Sequence, residues 1–100
     1  MTTKVNLAIQ VLPLGIPKED AYKIIDQAIA MISESSLTYK VCPFETVIEG
    51  PYDKVMQLVD NIQAACQQAG AEELLINMKL HRNFTKDLNI TDKTGKYEDS

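Results

Sequence analysis

Leu37-Thr38-Tyr39-Lys40-Val41-Cys42-Pro43-Phe44-Glu45-Thr46-Val47-Ile48-Glu49-Gly50 reads as two short strands around a turn. Leu37, Tyr39 and Val41 alternate with Thr38, Lys40 and Cys42, a period of two that places each set on its own face of a strand. Pro43 has no N–H and ends the pairing. Residues 43–45 make the turn, and 46–49 return as a second strand. Val47 and Ile48 are adjacent apolar residues, so alternation alone does not choose the inward one; the expectation here is Val47. Gly50-Pro51 breaks the strand, and Pro51 suits a helix opening because its φ is already near the helical value.

The flanks of this hairpin repeat one another. Before it, residues 4–12 alternate as a strand, with Val5, Leu7, Ile9 and Val11 on one face. A helix over 18–35 follows, its stripe formed by Ala21, Ile24, Ile25, Ala28, Ile29 and Ile32. Glu19 and Asp20 sit in its first turn, where the helix dipole favours acids. After the hairpin, a helix over 51–69 carries Val55, Leu58, Val59, Ile62, Ala65, Cys66 and Ala69, with Gly70 as the residue after its cap. A strand over 73–80 closes the pattern, with Leu74, Ile76, Met78 and Leu80 on one face. The order is β-α-β-β-α-β, which defines an α+β, ferredoxin-like sandwich: a four-stranded antiparallel sheet with two helices on one face. The domain is expected over residues 1–83, followed by a polar tail over 84–100 that is either mobile or folded onto a partner subunit.

One hundred residues with 45% hydrophobic content suffice for one domain with its own core. The longest apolar runs fall far short of a membrane span, and the start shows no secretory h-region, so the expected compartment is the cytoplasm. The net charge is −4 and Arg82 is the sole arginine, a composition unlike that of duplex nucleic-acid binders. Strand one also lacks an exposed aromatic for base stacking. Cys42 and Cys66 have no metal-ligand spacing and are expected as reduced thiols. His81 stands without a nucleophile or acid partner in any recognisable motif, and the four glycines are isolated, so neither a catalytic constellation nor a phosphate loop is expected.

Because both helices lie on one side, the other sheet face collects Asn6, Ala8, Gln10, Leu12, Thr38, Lys40, Cys42, Leu75, Asn77 and Lys79. This face is too apolar to be wholly solvated and too polar to be a closed core. It suits a subunit interface, a ligand pocket, or both. Gln10, Asn77 and Thr46 both donate and accept hydrogen bonds. Leu12 and Cys42 supply apolar lining. Glu45 and Glu49 are candidates to face a cationic ligand, and Phe44 could offer an aromatic surface to one or act as a core or interface plug.

Ile9-Gln10-Val11-Leu12-Pro13-Leu14-Gly15, the hairpin from Leu37 to Gly50, and Ala69-Gly70-Ala71-Glu72-Glu73 together resemble a family of small ferredoxin-like proteins that bind thiamine or its hydroxymethylpyrimidine moiety. The resemblance covers about residues 4–83 and is most specific in the P-L-G end of strand one and the T-V-I-E-G run. It implies non-catalytic binding of the vitamin or a related aminopyrimidine, with no cofactor, and homodimers or homotetramers built by joining sheets and packing their helix-free faces. Thr46 and Glu49 match the family's run. The family's turn carries small residues, G-P-M-G-T, where this chain has Cys42-Pro43-Phe44-Glu45-Thr46, which implies a narrower or differently charged pocket. The candidate ligand-binding residues are therefore Gln10, Leu12, Cys42, Phe44, Glu45, Thr46, Glu49 and Asn77. The alternative is a structural or regulatory homo-oligomer without a small ligand.

Overall fold

A computed structural model describes residues 3–98. The elements run β1 (Lys4–Pro13), α1 (Lys18–Glu34), β2 (Thr38–Val41), β3 (Thr46–Pro51), α2 (Tyr52–Gln68), β4 (Leu74–His81) and α3 (Ile90–Glu98). The sheet order is β2-β3-β1-β4, and every neighbouring pair is antiparallel. This is the expected ferredoxin-like α+β arrangement, with one further helix.

The core forms where the three periodicities meet. Val5, Leu7 and Ile9 of β1 are buried against Ile24, Ala28 and Ile32 of α1 and Val55, Leu58, Val59, Ile62 and Cys66 of α2. Burying a branched aliphatic side chain of this kind contributes roughly 1.5–3 kcal/mol. The end of α2 is a Schellman motif, which satisfies two otherwise orphaned carbonyls. Gly70 N–H donates to Gln67 O at 3.1 Å and Ala71 N–H to Cys66 O at 3.0 Å. Gly70 takes φ +114° there, a conformation that L side chains resist.

Ile48, not Val47, faces the core. Ile48 is fully buried while Val47 is half-buried. The reason is register: Ile48 sits opposite Leu7 of β1, and Val47 opposite Ala8 on the other face. Gly50 follows on the same inward side, and a β-carbon there would lie 2.9 Å from Leu37 Cδ2. Its smallness lets the strand pass under that leucine.

The segment after β4 returns across the open face of its own sheet. Lys4 N–H donates to Asp87 Oδ1 at 2.7 Å, Leu88 N–H to Lys4 O at 3.0 Å, and Asn6 Nδ2 to Leu88 O at 3.1 Å. Thr3 Oγ1 donates to Asn83 O. These bonds bury Asn6 to 5% exposure and deliver α3 to the face that the two long helices leave bare. At the root of the segment the Arg82 guanidinium stacks on Tyr52 at 3.7 Å and on Phe84 at 4.7 Å, a cation–π pairing that pins it to the start of α2.

Candidate functional site

β1 is longer than its partner β3. The β1–β3 register ends at Ile9 opposite Thr46, whereas β1 stays paired with β4 as far as Pro13 opposite Leu74. Residues 10–13 therefore have a strand neighbour on one side only. The β2–β3 hairpin ends there because Pro43 cannot extend the ladder. Its turn is closed by Cys42 N–H donating to Glu45 O at 2.9 Å. Between this turn, the unpaired edge of β1 and the side of α1 lies a notch of about 370 Å³.

Six of the eight residues expected from the sequence line this notch: Gln10, Leu12, Cys42, Phe44, Glu45 and Thr46. Asn77 joins from β4 by donating through Nδ2 to Gln10 Oε1 at 3.1 Å. That bond uses the carbonyl oxygen of Gln10, so Gln10 offers a ligand its NH₂ donors. Thr46 is buried at the wall, and Phe44 is 82% exposed at the turn tip. Phe44 is thus not a core plug; its ring is available to stack.

Glu49 is not part of the notch. It lies three residues along β3, about 10 Å away at strand rise. Its Oε1 accepts the N–H of Ile90 at the start of α3. Closeness of Glu45 and Glu49 in sequence does not survive in space, because an extended chain separates them.

The floor of the notch was not anticipated as a site. Tyr22, Ile25 and Ile29 of α1 line it with Val41 of β2. In sequence Ile25 and Ile29 belong to the same stripe as Ile24, Ala28 and Ile32 and read as core. They are half-buried because they flank that stripe on the side where β3 has ended. The result is an apolar trough with a polar rim: hydroxyl, amide and carboxylate groups above aliphatic side chains. Such a surface holds a flat heterocycle by burial and orients it by hydrogen bonds.

A wider depression of about 580 Å³ between the end of α1 and the start of α2 contains none of the expected residues. Among the described residues, no group of three or more His, Cys, Asp or Glu side chains could hold a metal ion. No helix of the described residues is long and apolar enough to cross a membrane. Burial pushes the Cys66 thiol above its ordinary pKa, whereas Cys42 is partly exposed beside the notch.

The sequence model of a family described as thiamine-binding protein matches residues 7–98. A UPF0045 protein of Clostridium perfringens is 28% identical over 93 residues, covering 92% of this chain and 95% of its own. Among solved structures, a domain of unknown function, DUF77, from Bacillus cereus superposes with a TM-score of 0.91 at 33% identity, over 99% of this chain and 94% of that one. A Thermotoga maritima protein described provisionally as one of thiamine biosynthesis/salvage gives a TM-score of 0.86 at 26% identity, over 95% of this chain and 99% of that one. The family match spans the central strand, both long helices, the hairpin turn and the returning tail, and so this chain belongs to the thiamine-binding protein family.

Proposed function

We propose that this protein binds thiamine or a related aminopyrimidine such as hydroxymethylpyrimidine, without transforming it, in the notch between α1 and the hairpin turn. The observation that carries the reading is the convergence of Gln10, Cys42, Phe44, Glu45 and Thr46 on one apolar trough beside the unpaired edge of β1. An aminopyrimidine needs donors and acceptors near one plane, which the Gln10 amide and Thr46 hydroxyl provide. A thiazolium carries a positive charge, for which Glu45 is the carboxylate at hand. Phe44 at the turn tip and Tyr22 of α1 offer ring faces to it. Family membership and the description of the Thermotoga maritima neighbour support the same ligand class.

Titration calorimetry with thiamine and with hydroxymethylpyrimidine tests this. The expected result is saturable binding at about micromolar affinity or tighter, roughly 8 kcal/mol. Glu45→Gln then weakens thiamine by a few-fold and the neutral pyrimidine less, because an exposed charge pair is worth at most about 1 kcal/mol. No heat from either ligand at two temperatures refutes the reading.

A second observation favours self-association. Leu75, Met78 and Leu80 are each more than two-fifths exposed along β4, an edge strand of the sheet. Such an edge invites pairing with a second copy, consistent with a homodimer or homotetramer. Light scattering across a dilution series measures it, and a monomer at every concentration sinks it.

A further inference from the structure

Four hydrogen bonds fix which way each backbone group of β1 points. Lys4 N–H and C=O bond Asp87 and Leu88, on the side away from Pro51, its β3 partner. Leu14 N–H donates to Glu73 O, just before β4, and Thr3 O accepts from Tyr52 N–H, just after β3. The pairing on both sides runs without a bulge. Even-numbered residues of β1 therefore turn their N–H and C=O towards β4, and odd-numbered residues turn theirs towards β3.

Ile9, opposite Thr46, is the last odd-numbered residue to meet β3. Val11 comes next, and its two backbone groups face the notch instead. Val11 lines the notch and is half-buried, and among the described residues no hydrogen bond reaches its N–H or C=O on that side. Leaving a half-buried donor and acceptor open is unfavourable unless something meets them. Pro13 faces the same way but has no N–H. The open edge is thus one residue long. An added strand draws its affinity from a row of such bonds, whereas one donor beside one acceptor suits the edge of a small ring.

A second group opens into the same space. Thr46 is only 7% exposed and lines the notch, and among the described residues its hydroxyl has no hydrogen-bond partner. Its side chain lies on the helix side of β3, as does that of Ile48 two residues on. Since Thr46 stands opposite Ile9, it is about 7 Å back along β1 from Val11, two residues of strand rise. Val11 N–H precedes its C=O along the chain, so the N–H is the group nearer Thr46.

We propose that the backbone of Val11 reads the amino edge of a 4-aminopyrimidine, so that the notch selects this ring over its 4-oxo counterpart. This selection rests on the notch being the binding site. Val11 N–H donates to the ring nitrogen beside the amino group, and Val11 C=O accepts from the amino group itself. The second ring nitrogen then lies on the Thr46 side and accepts from that hydroxyl. A 4-oxo ring presents the reverse order, an N–H where the amino ring has a bare nitrogen and a carbonyl where it has the amino group. It restores the pair only by turning over. That drives the substituent next to its carbonyl against the buried wall at Thr46 and carries its second nitrogen away from the hydroxyl.

The test is amide exchange of the full chain, followed by NMR with and without thiamine, alongside calorimetric titration. In the free chain the Val11 amide should exchange at least about tenfold faster than those of Ile9 and Leu12, which bond β3 and β4. Saturating thiamine should slow it by about tenfold or more. The 4-oxo analogue of thiamine should bind at least about tenfold more weakly than thiamine. Replacing the Gln10–Val11 amide by an ester removes a donor that no strand uses, and should weaken thiamine and hydroxymethylpyrimidine alike by about tenfold. Thr46→Val should weaken both by about fivefold. Thiamine that binds while the Val11 amide still exchanges fast overturns the role of Val11 and leaves the notch reading standing. Equal affinity for thiamine and its 4-oxo analogue does the same, as does a Val11 amide already protected in the free chain. No binding of thiamine or hydroxymethylpyrimidine overturns both.

Discussion

The two ends of β1 share one alternation and one strand yet have different fates. From Asn6 to Ile9 the strand has β3 on one side and β4 on the other, two helices on one face and the returning tail on the other. From Gln10 to Pro13 it keeps β4 but loses β3, and Gln10, Val11 and Leu12 line the notch. Side-chain chemistry does not make this difference: on one and the same face Leu7 is fully buried whereas Val11, equally apolar, is only partly so. What differs is how far the neighbouring strand reaches, and Pro43 sets that limit. A notch opens here by stopping a hairpin early rather than by adding a loop.

The largest expected effect tests the sealed end. Leu7→Ala should cost about 2–5 kcal/mol, read from urea unfolding. Leu12→Ala in the open end should cost about 1 kcal/mol or less while weakening ligand binding several-fold. If the two leucines cost the same, the contrast between the ends fails. Next comes the cover of the sealed end. Glu49→Ala removes the acceptor for the Ile90 N–H and should cost about 0.5–2 kcal/mol. The loss should appear as faster amide exchange in residues 88–97, with thiamine affinity unchanged. A large drop in thiamine affinity would move Glu49 back into the notch.

The smallest effect concerns the two thiols. Cys66 is fully buried in the core, and desolvation raises its pKa above the ordinary 9.0. Its proton is therefore held more tightly folded than unfolded. Below the ordinary value the folded chain has the full benefit, and stability falls as pH rises past about 9 towards the raised value. Urea unfolding at pH 8 and pH 10 should show a decline that is smaller in Cys66→Ala. An identical decline in both assigns it to other groups. Cys42, beside the notch, should be alkylated by iodoacetamide in the native state while Cys66 is spared.

Much of this architecture is legible in the residues. Alternation in β1 and β4, the two apolar stripes and the proline-centred turn each specify their element, and their order leaves few topologies open. Three things are not. The inward choice between Val47 and Ile48 depends on register with Leu7, a non-local fact. The roles of Tyr22 and Ile25 depend on an absent neighbour strand, which a helical stripe does not record. The course of residues 83–90 depends largely on backbone bonds to Lys4 and on the Asn6 amide, and backbone bonding leaves no side-chain period to read.

The junction between Lys4 and Leu88 has a consequence in time. Ribosomes add about 5–20 residues per second, so roughly 4 to 17 seconds separate the emergence of these two residues. β1 is among the first segments made, and it is the strand that needs β3, β4 and the returning segment to be finished. Throughout that interval the edge that awaits β4 and the returning segment is open to any other nascent chain, the condition under which strands mispair. Slower translation of the stretch after Gly70 should therefore raise aggregation of newly made protein without altering the stability of the finished fold.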